Sequence, residues 1–215
     1  MQTLPAEPRS VAKSAVRVAD HAGRALLAEL LLTPKPGLVD RRNCGAHRDM
    51  NLQTFLTSAR AIAPWWRRLV ETGRSTAHVP VCALLALVRP AGVQCEQAML
   101  RATRGVNSHK GAIFSLGLLC VAAGRLLAKG LPLSRERMCG LVADMSVGLV
   151  ERELDRPGEA RSAGEHVFRR YGFTGARGAA ASGFSLVRRT ALPIYARPEP
   201  RASPRSSRFC RPCCN

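Results

Sequence analysis

Between Thr33 and Met50 the chain reads TPKPGLVDRRNCGAHRDM, which packs Lys35, Asp40, Arg41, Arg42, Asn43, His47, Arg48 and Asp49 into one short stretch. Cations of this kind neutralise phosphate oxygens, and carboxylates hold a metal or move a proton, so the mixture suits anion and metal chemistry. By composition alone it is equally a solvated connector. A second cluster, GVNSHKGAIF from Gly105 to Phe114, sets Asn107, His109 and Lys110 at the head of an apolar run. Exposed amides and the positive end of a helix dipole favour an anion at such a place, and a lysine reinforces it. The Gly-x4-Gly-Lys-Ser/Thr spacing of a P-loop is missing, and no strand precedes the cluster. A third stretch, YGFTGARGAAASGF from Tyr171 to Phe184, carries four glycines around Arg177, a backbone able to approach a ligand closely.

Helices must position these stretches. Ser10 can cap a helix to about Leu32, with Val11, Ala15, Val18, Ala22, Leu26 and Leu30 on one face, and Pro34 and Pro36 force the chain out of it. Asp49 or Asn51 can cap a second helix through Leu69, broken or kinked at Pro64 and ended by Gly73; Trp65 and Trp66 are core anchors. Val81 to Val88 form a short helix closed by Pro90, and Gly92 to Arg104 another. Asn107 or Ser108 caps a long helix to near Lys129. Ser134 caps one through Leu149, Pro157-Gly158 marks a break, and a helix covers Ser162 to Arg170. The expected fold is all-α: a mobile lead-in over 1–9, a single-domain helical bundle over 10–194 with functional loops at helix ends, and a disordered basic tail over 195–215.

Composition sets outer limits. The 215 residues suffice for one core, and 46% hydrophobic content with 5% aromatics requires that core to rest on Leu, Ala and Val. A formal charge of +18 implies acidic partners such as nucleotides, although arginine-rich coding yields the same balance. Five cysteines, Cys44, Cys82, Cys95, Cys120 and Cys139, read as small core or loop residues in a reducing compartment. The N-terminus lacks the apolar segment of a signal peptide, and the run from Gly111 to Gly124 is short of a membrane span. The expectation is a cytoplasmic protein with no membrane partner.

Taken together and in this order, TPKPGLVDRRNCGAHRDM, GVNSHKGAIFSLGLLCVAAGR and YGFTGARGAAASGF resemble the triphosphoribosyl-dephospho-CoA synthases, close to the malonate-decarboxylase branch, from about Val11 to Pro193. The resemblance implies an all-helical pentosyltransferase. It would move the triphosphoribosyl part of ATP onto the 2′-hydroxyl of 3′-dephospho-CoA and release adenine. The product would be the precursor of the prosthetic group on an acyl carrier protein of malonate decarboxylase or citrate lyase, delivered by a separate transferase. Breaking the glycosidic bond builds positive charge on the sugar, which a carboxylate stabilises or matches by accepting the hydroxyl's proton. Asp40 and Asp49 are the candidates, and either could instead hold Mg2+. Lys35, Arg48, Lys110 and Arg177 would neutralise phosphates, Asn107 would bind phosphate or ribose, and His109 would hydrogen-bond the ligand or give a proton to adenine.

Departures from the family pattern are equally specific. Ser108 stands where the family usually has threonine, Arg104 where it has glycine, Ala179 where glutamate follows Gly-Ala-Arg-Gly, and Ser185 where proline follows Gly-Phe. From about Tyr195 the sequence turns to Pro, Ser and Arg, ends with Cys210, Cys213 and Cys214, and looks like an out-of-frame replacement of the family's remaining helices. Two alternatives follow: an inactive, truncated member, and a basic nucleic-acid-binding protein. The second is the weaker, since three thiols make an incomplete zinc set.

Overall fold

The computed structural model describes residues 9–155, 160 and 162–196, so the lead-in over 1–8, the Pro157-Gly158 break and the tail beyond Ala196 lie outside the described residues. Every described element is a helix. The first, α1 (Arg9–Leu31), gives way at the two prolines, as the missing amide donors require. Asn51 then opens α2 (Leu52–Ser75) through a reciprocal cap: its Oδ1 accepts the Thr54 amide at 3.0 Å, and Thr54 Oγ1 accepts the Asn51 amide at 3.4 Å.

This helix is not broken at Pro64 and does not end at Gly73, and the next is not closed at Pro90. Pro64 and Gly73 both lie inside α2, and the expected pair of short helices is one helix, α3 (Val81–Ala102), which runs through Pro90 and Gly92. The reason at Gly73 is packing. It is buried where α2 crosses α4 (Lys110–Ala128); a Cβ there would collide with the Val121 carbonyl, and one at Gly124 with the Val70 carbonyl. The two glycines let the backbones touch, so tertiary contact overrides the local stop signal.

The central helix is α4, packed against α1, α2 and α3 and also against α5 (Arg135–Met145). Ile113, Leu118, Val121, Ala122, Ala123 and Leu126 are buried along it, with Ile62, Trp66, Leu69 and Val70 facing from α2. The 19-residue α4 extends beyond the apolar run from Gly111 to Gly124 and, by length and composition only, is long and apolar enough to cross a membrane. Its apolarity serves the bundle interior. Buried within it, Arg125 donates to the carbonyls of Thr76 at 2.7 Å and Val79 at 2.6 Å, pinning the turn between α2 and α3. Cys95 and Cys120 are buried and free, and burial pushes both thiols up to about 12.

Ser134 caps α5, which ends at Met145 rather than Leu149, and α6 (Leu149–Glu153) follows after a turn through Gly148. Ser162 caps α7 (Ala163–Tyr171). The glycine-arginine stretch, expected as a loop, winds into α8 (Gly175–Ala181), with Ala180 buried. A first compact unit closes at Phe184 and holds the whole bundle; a second begins at Ser185. Its described part, residues 185–196, includes a π-helical turn (Val187–Ala191) and α9 (Leu192–Tyr195) and exposes Leu186, Ile194 and Tyr195.

Candidate functional site at the head of the central helix

The stretch between α1 and α2 is organised by the carboxylate of Asp40. Its Oδ2 accepts the Lys35 amide at 3.0 Å, and its Oδ1 accepts the amides of Arg42 at 2.7 Å and Asn43 at 3.0 Å. The side chain is buried, and these bonds, Lys35 first, hold its carboxyl below the usual carboxylate range. Most of its acceptor capacity is thus spent on the loop itself. Asp40, expected as a catalytic or metal-binding carboxylate, therefore also shapes the loop that carries it.

Lys35 is turned in the same way toward its own fold. Its ammonium is nearly buried and donates to the Glu29 carbonyl and carboxylate, both at 3.1 Å, closing the loop onto the end of α1. Asp49 is exposed and faces His47 at 3.6 Å, while Arg48 is exposed with no partner among the described residues. Of the loop's charged candidates, Asp49 and Arg48 are the ones open to a ligand.

The turn from α3 to α4 delivers His109. Thr103 Oγ1 donates toward the carbonyls of Met99 at 2.9 Å and Val106 at 2.6 Å, and the Asn107 Oδ1 accepts the Lys110 amide at 3.2 Å. His109 occupies the N-cap position of α4, one residue before the first turn expected for it, and supplies no side-chain cap. Its ring is buried. Nδ1 lies 2.7 Å from Ser58 Oγ, Phe55 packs edge-on at 4.9 Å between centroids, and the His109 amide meets Met99 Sδ at 3.2 Å. Burial pushes the imidazolium down to about 4; the field of Glu29 opposes this and that of Lys35 reinforces it. Those two charges tie His109 to the loop of Lys35 and Asp40.

Two polar atoms here, His109 Nε2 and Ser108 Oγ, are buried with no hydrogen-bond partner among the described residues. A buried donor or acceptor left unpaired costs about 1–3 kcal/mol; Trp66 Nε1 and Ser146 Oγ are further such atoms among the described residues, and the pair at 108 and 109 is the one within the polar motif at the head of α4.

Lys110 and Arg177 lie on a neighbouring surface. Lys110 pairs with Glu96 of α3 at 3.3 Å; Arg177 of α8 donates to Glu153 at 2.8 Å, and Glu153 also holds Arg89 of α3. Burial pushes the Glu153 carboxyl up, but the bonds from Arg177 and Arg89 outweigh it and leave it lowered. Positions 89 and 96 are two helical turns apart on one face, about 10 Å along the axis. Both cations expected to bind phosphate therefore have carboxylate partners. The cavity of about 510 Å³ lies elsewhere, between α1, α4 and α5, and is lined by apolar residues such as Val18, Leu116 and Leu119 with Arg17 and His21; none of the expected site residues lines it.

Mg2+ bound to a nucleotide needs only one or two carboxylates beside the phosphates. Of the two aspartates, Asp49 is exposed, while Asp40 is buried and already accepts three loop amides. Among the described residues there is no group of three or more His, Cys, Asp or Glu side chains able to hold a metal by themselves.

Sequence reasoning missed Glu29, Phe55, Ser58, Arg89, Glu96 and Glu153. The seven-residue spacing of Arg89 and Glu96 is a readable charge stripe. For Ser58, which meets His109 across 51 positions, no local signal exists.

An all-α protein is thus defined whose polar side chains collect at the ends of packed helices, above all at the head of α4. Over residues 15–208 the chain matches the profile of the family described as CitG, ATP:dephospho-CoA triphosphoribosyl transferase. It is 52% identical over 180 residues to the 2-(5''-triphosphoribosyl)-3'-dephosphocoenzyme-A synthase of Pectobacterium atrosepticum (strain SCRI 1043), covering 84% of this chain and 60% of that protein. It is 50% identical over 195 residues to the enzyme of the same name from Klebsiella pneumoniae, covering 90% and 65%. A protein from Pectobacterium carotovorum subsp. carotovorum (strain PC1), named as a probable synthase of this kind, is 53% identical over 173 residues, with 80% and 58% covered. No solved structure gives a significant match. The chain belongs to the ATP:dephospho-CoA triphosphoribosyl transferase family, and it spans about 60% of the length of these curated relatives.

Proposed function

We propose that this chain transfers the 5-triphosphoribosyl group of ATP to the 2′-hydroxyl of 3′-dephospho-CoA and releases adenine. Family membership supplies the reaction; the observation on the chain itself that carries the reading is the pair of unpartnered polar atoms, His109 Nε2 and Ser108 Oγ, at the head of α4. Amides at a helix start and Lys110 favour the triphosphate there, and Arg48 is an exposed cation of the loop before α2. Lys110 is half exposed, so a phosphate can compete with Glu96 for it. Asn107 has its amide nitrogen left to donate, since only its Oδ1 is used by the Lys110 amide.

Mg2+ would neutralise phosphate charge, and Asp49 is the residue that would hold it. Asp49 is also the accessible carboxylate for the proton of the incoming hydroxyl. A His109 imidazolium with its pKa near 4 is scarce at neutral pH, so His109 serves as a neutral hydrogen-bonding group and not as the acid that protonates adenine. The same reading assigns the product to an acyl carrier protein of malonate decarboxylase or citrate lyase and the reaction to the cytoplasm.

The test is purified protein at high concentration with ATP, Mg2+ and 3′-dephospho-CoA, beside the longer Klebsiella pneumoniae relative. Adenine appearing in step with the adduct supports the reading. Its absence while the relative turns over removes it and leaves an inactive family member, the alternative favoured by Ala179 in place of the usual glutamate.

A further inference from the structure

His109 is held from three sides, and only one contact can choose which ring nitrogen carries the proton. Phe55 packs an edge against the ring and Met99 takes the backbone amide, and neither distinguishes the nitrogens. Ser58 does, because its Oγ lies 2.7 Å from Nδ1 and has no other hydrogen bond among the described residues. Ser58 is fully buried and His109 nearly so.

The two possible arrangements leave different groups stranded. If Nδ1–H donates to Oγ, the serine proton has no acceptor and the Nε2 lone pair has no donor, so two buried groups go unpaired. If the serine hydroxyl donates to Nδ1, only Nε2–H is left over. The second arrangement satisfies more of the buried polar atoms, and it makes Nε2 a donor like the helix amides and Lys110 beside it.

We propose that Ser58 is a positioning residue that locks His109 as the neutral Nε2–H tautomer, so that the ring presents a hydrogen-bond donor to an acceptor atom of the bound nucleotide. Ser58 itself is sealed from solvent and touches no substrate. A ring held in one tautomer by a buried partner need not reorganise when the ligand arrives. The charges acting on the ring, Glu29 at the end of α1 and Lys35 in the following loop, oppose one another, which leaves the hydroxyl to set the tautomer. The ligand part of this inference rests on the transferase reading; the tautomer part does not.

Long-range 1H–15N correlation of histidine-labelled protein at neutral pH reads the tautomer without turnover. The expected result is Nε2–H for His109 in the wild type and in Ser58→Thr, and a shift toward a tautomer mixture in Ser58→Ala. Adenine release at saturating substrates is expected to fall at least about tenfold in Ser58→Ala and to recover in Ser58→Thr. An Nδ1–H ring in the wild type overturns the proposal even if no variant folds, and so does a Ser58→Ala ring unchanged from wild type. An Nε2–H wild type with no adenine release supports the role of Ser58 and counts against the transferase reading alone.

Discussion

Asp40 and Lys35 are joined through the backbone: the Asp40 Oδ2 accepts the Lys35 amide at 3.0 Å, while the Lys35 side chain turns away to Glu29. One carboxylate therefore sets the conformation of the loop that displays Arg48 and Asp49, and Asp40→Ala should act on order before it acts on chemistry. Hydrogen exchange at the Lys35, Arg42 and Asn43 amides should quicken by at least about tenfold, with the protection of α4 core amides unchanged. Because the Asp40 carboxyl is lowered, the stability it adds is present above the ordinary carboxylate pKa and disappears as pH falls through the lowered value. Unchanged exchange in the variant would show that the loop holds without it.

Arg104 sits at φ 56°, a left-handed conformation that disfavours any residue with a β-carbon. It is exposed, and the bond its amide donates to the Arg101 carbonyl at 3.5 Å is one that glycine keeps, so Arg104→Gly should relieve strain. The gain, after glycine's extra freedom in the unfolded chain is counted, is about 0.5–1 kcal/mol. A urea midpoint that stays put or moves down in the variant would contradict this.

The sequence made the long helices legible because their signals are local: Asn51, Ser134 and Ser162 cap where a short polar side chain precedes an apolar period, and Pro34 with Pro36 ends α1. It misled where a residue's meaning came from a distant partner. Gly73 reads as a stop until α4 lies across it, and Pro90 reads as a break until α3 packs on α2 and α5. The site divides along the same line. His109, Asn107 and Lys110 stand out as a motif, but Asp40 looked available because its three amide donors come from the loop's own folding. The carboxylates facing Lys110 and Arg177 belong to other helices, beyond any local pattern.

Arg125 is a buried cation whose described hydrogen bonds go to two backbone carbonyls, Thr76 and Val79, at the turn that joins α2 to α3. Removing it leaves those carbonyls short of a donor inside the bundle. Arg125→Ala should cost about 3 kcal/mol in unfolding free energy. Arg125→Lys should recover only part of the loss, since one ammonium replaces a planar fork. Chemical denaturation of the three proteins decides the order, and a lysine variant as stable as wild type would mean that charge alone suffices.

His109 gives the fold an acid sensitivity whose sign follows from its burial. Its pKa falls from 6.5 to about 4 on folding, so as pH drops the unfolded chain takes up the proton first. The stability tied to this ring is complete above about pH 6.5 and drains between there and pH 4, on the order of 3 kcal/mol in all. Other groups also respond to acid, the lowered carboxyls of Asp40 and Glu153 among them, so the measurement must isolate the ring. His109→Gln keeps a polar side chain and cannot titrate. Denaturation of wild type and variant at several pH values should show a stability gap that favours wild type most near neutrality and narrows steadily toward pH 4.5. A gap that stays constant across that range would mean that the imidazole is as easily protonated in the folded protein as in the unfolded chain.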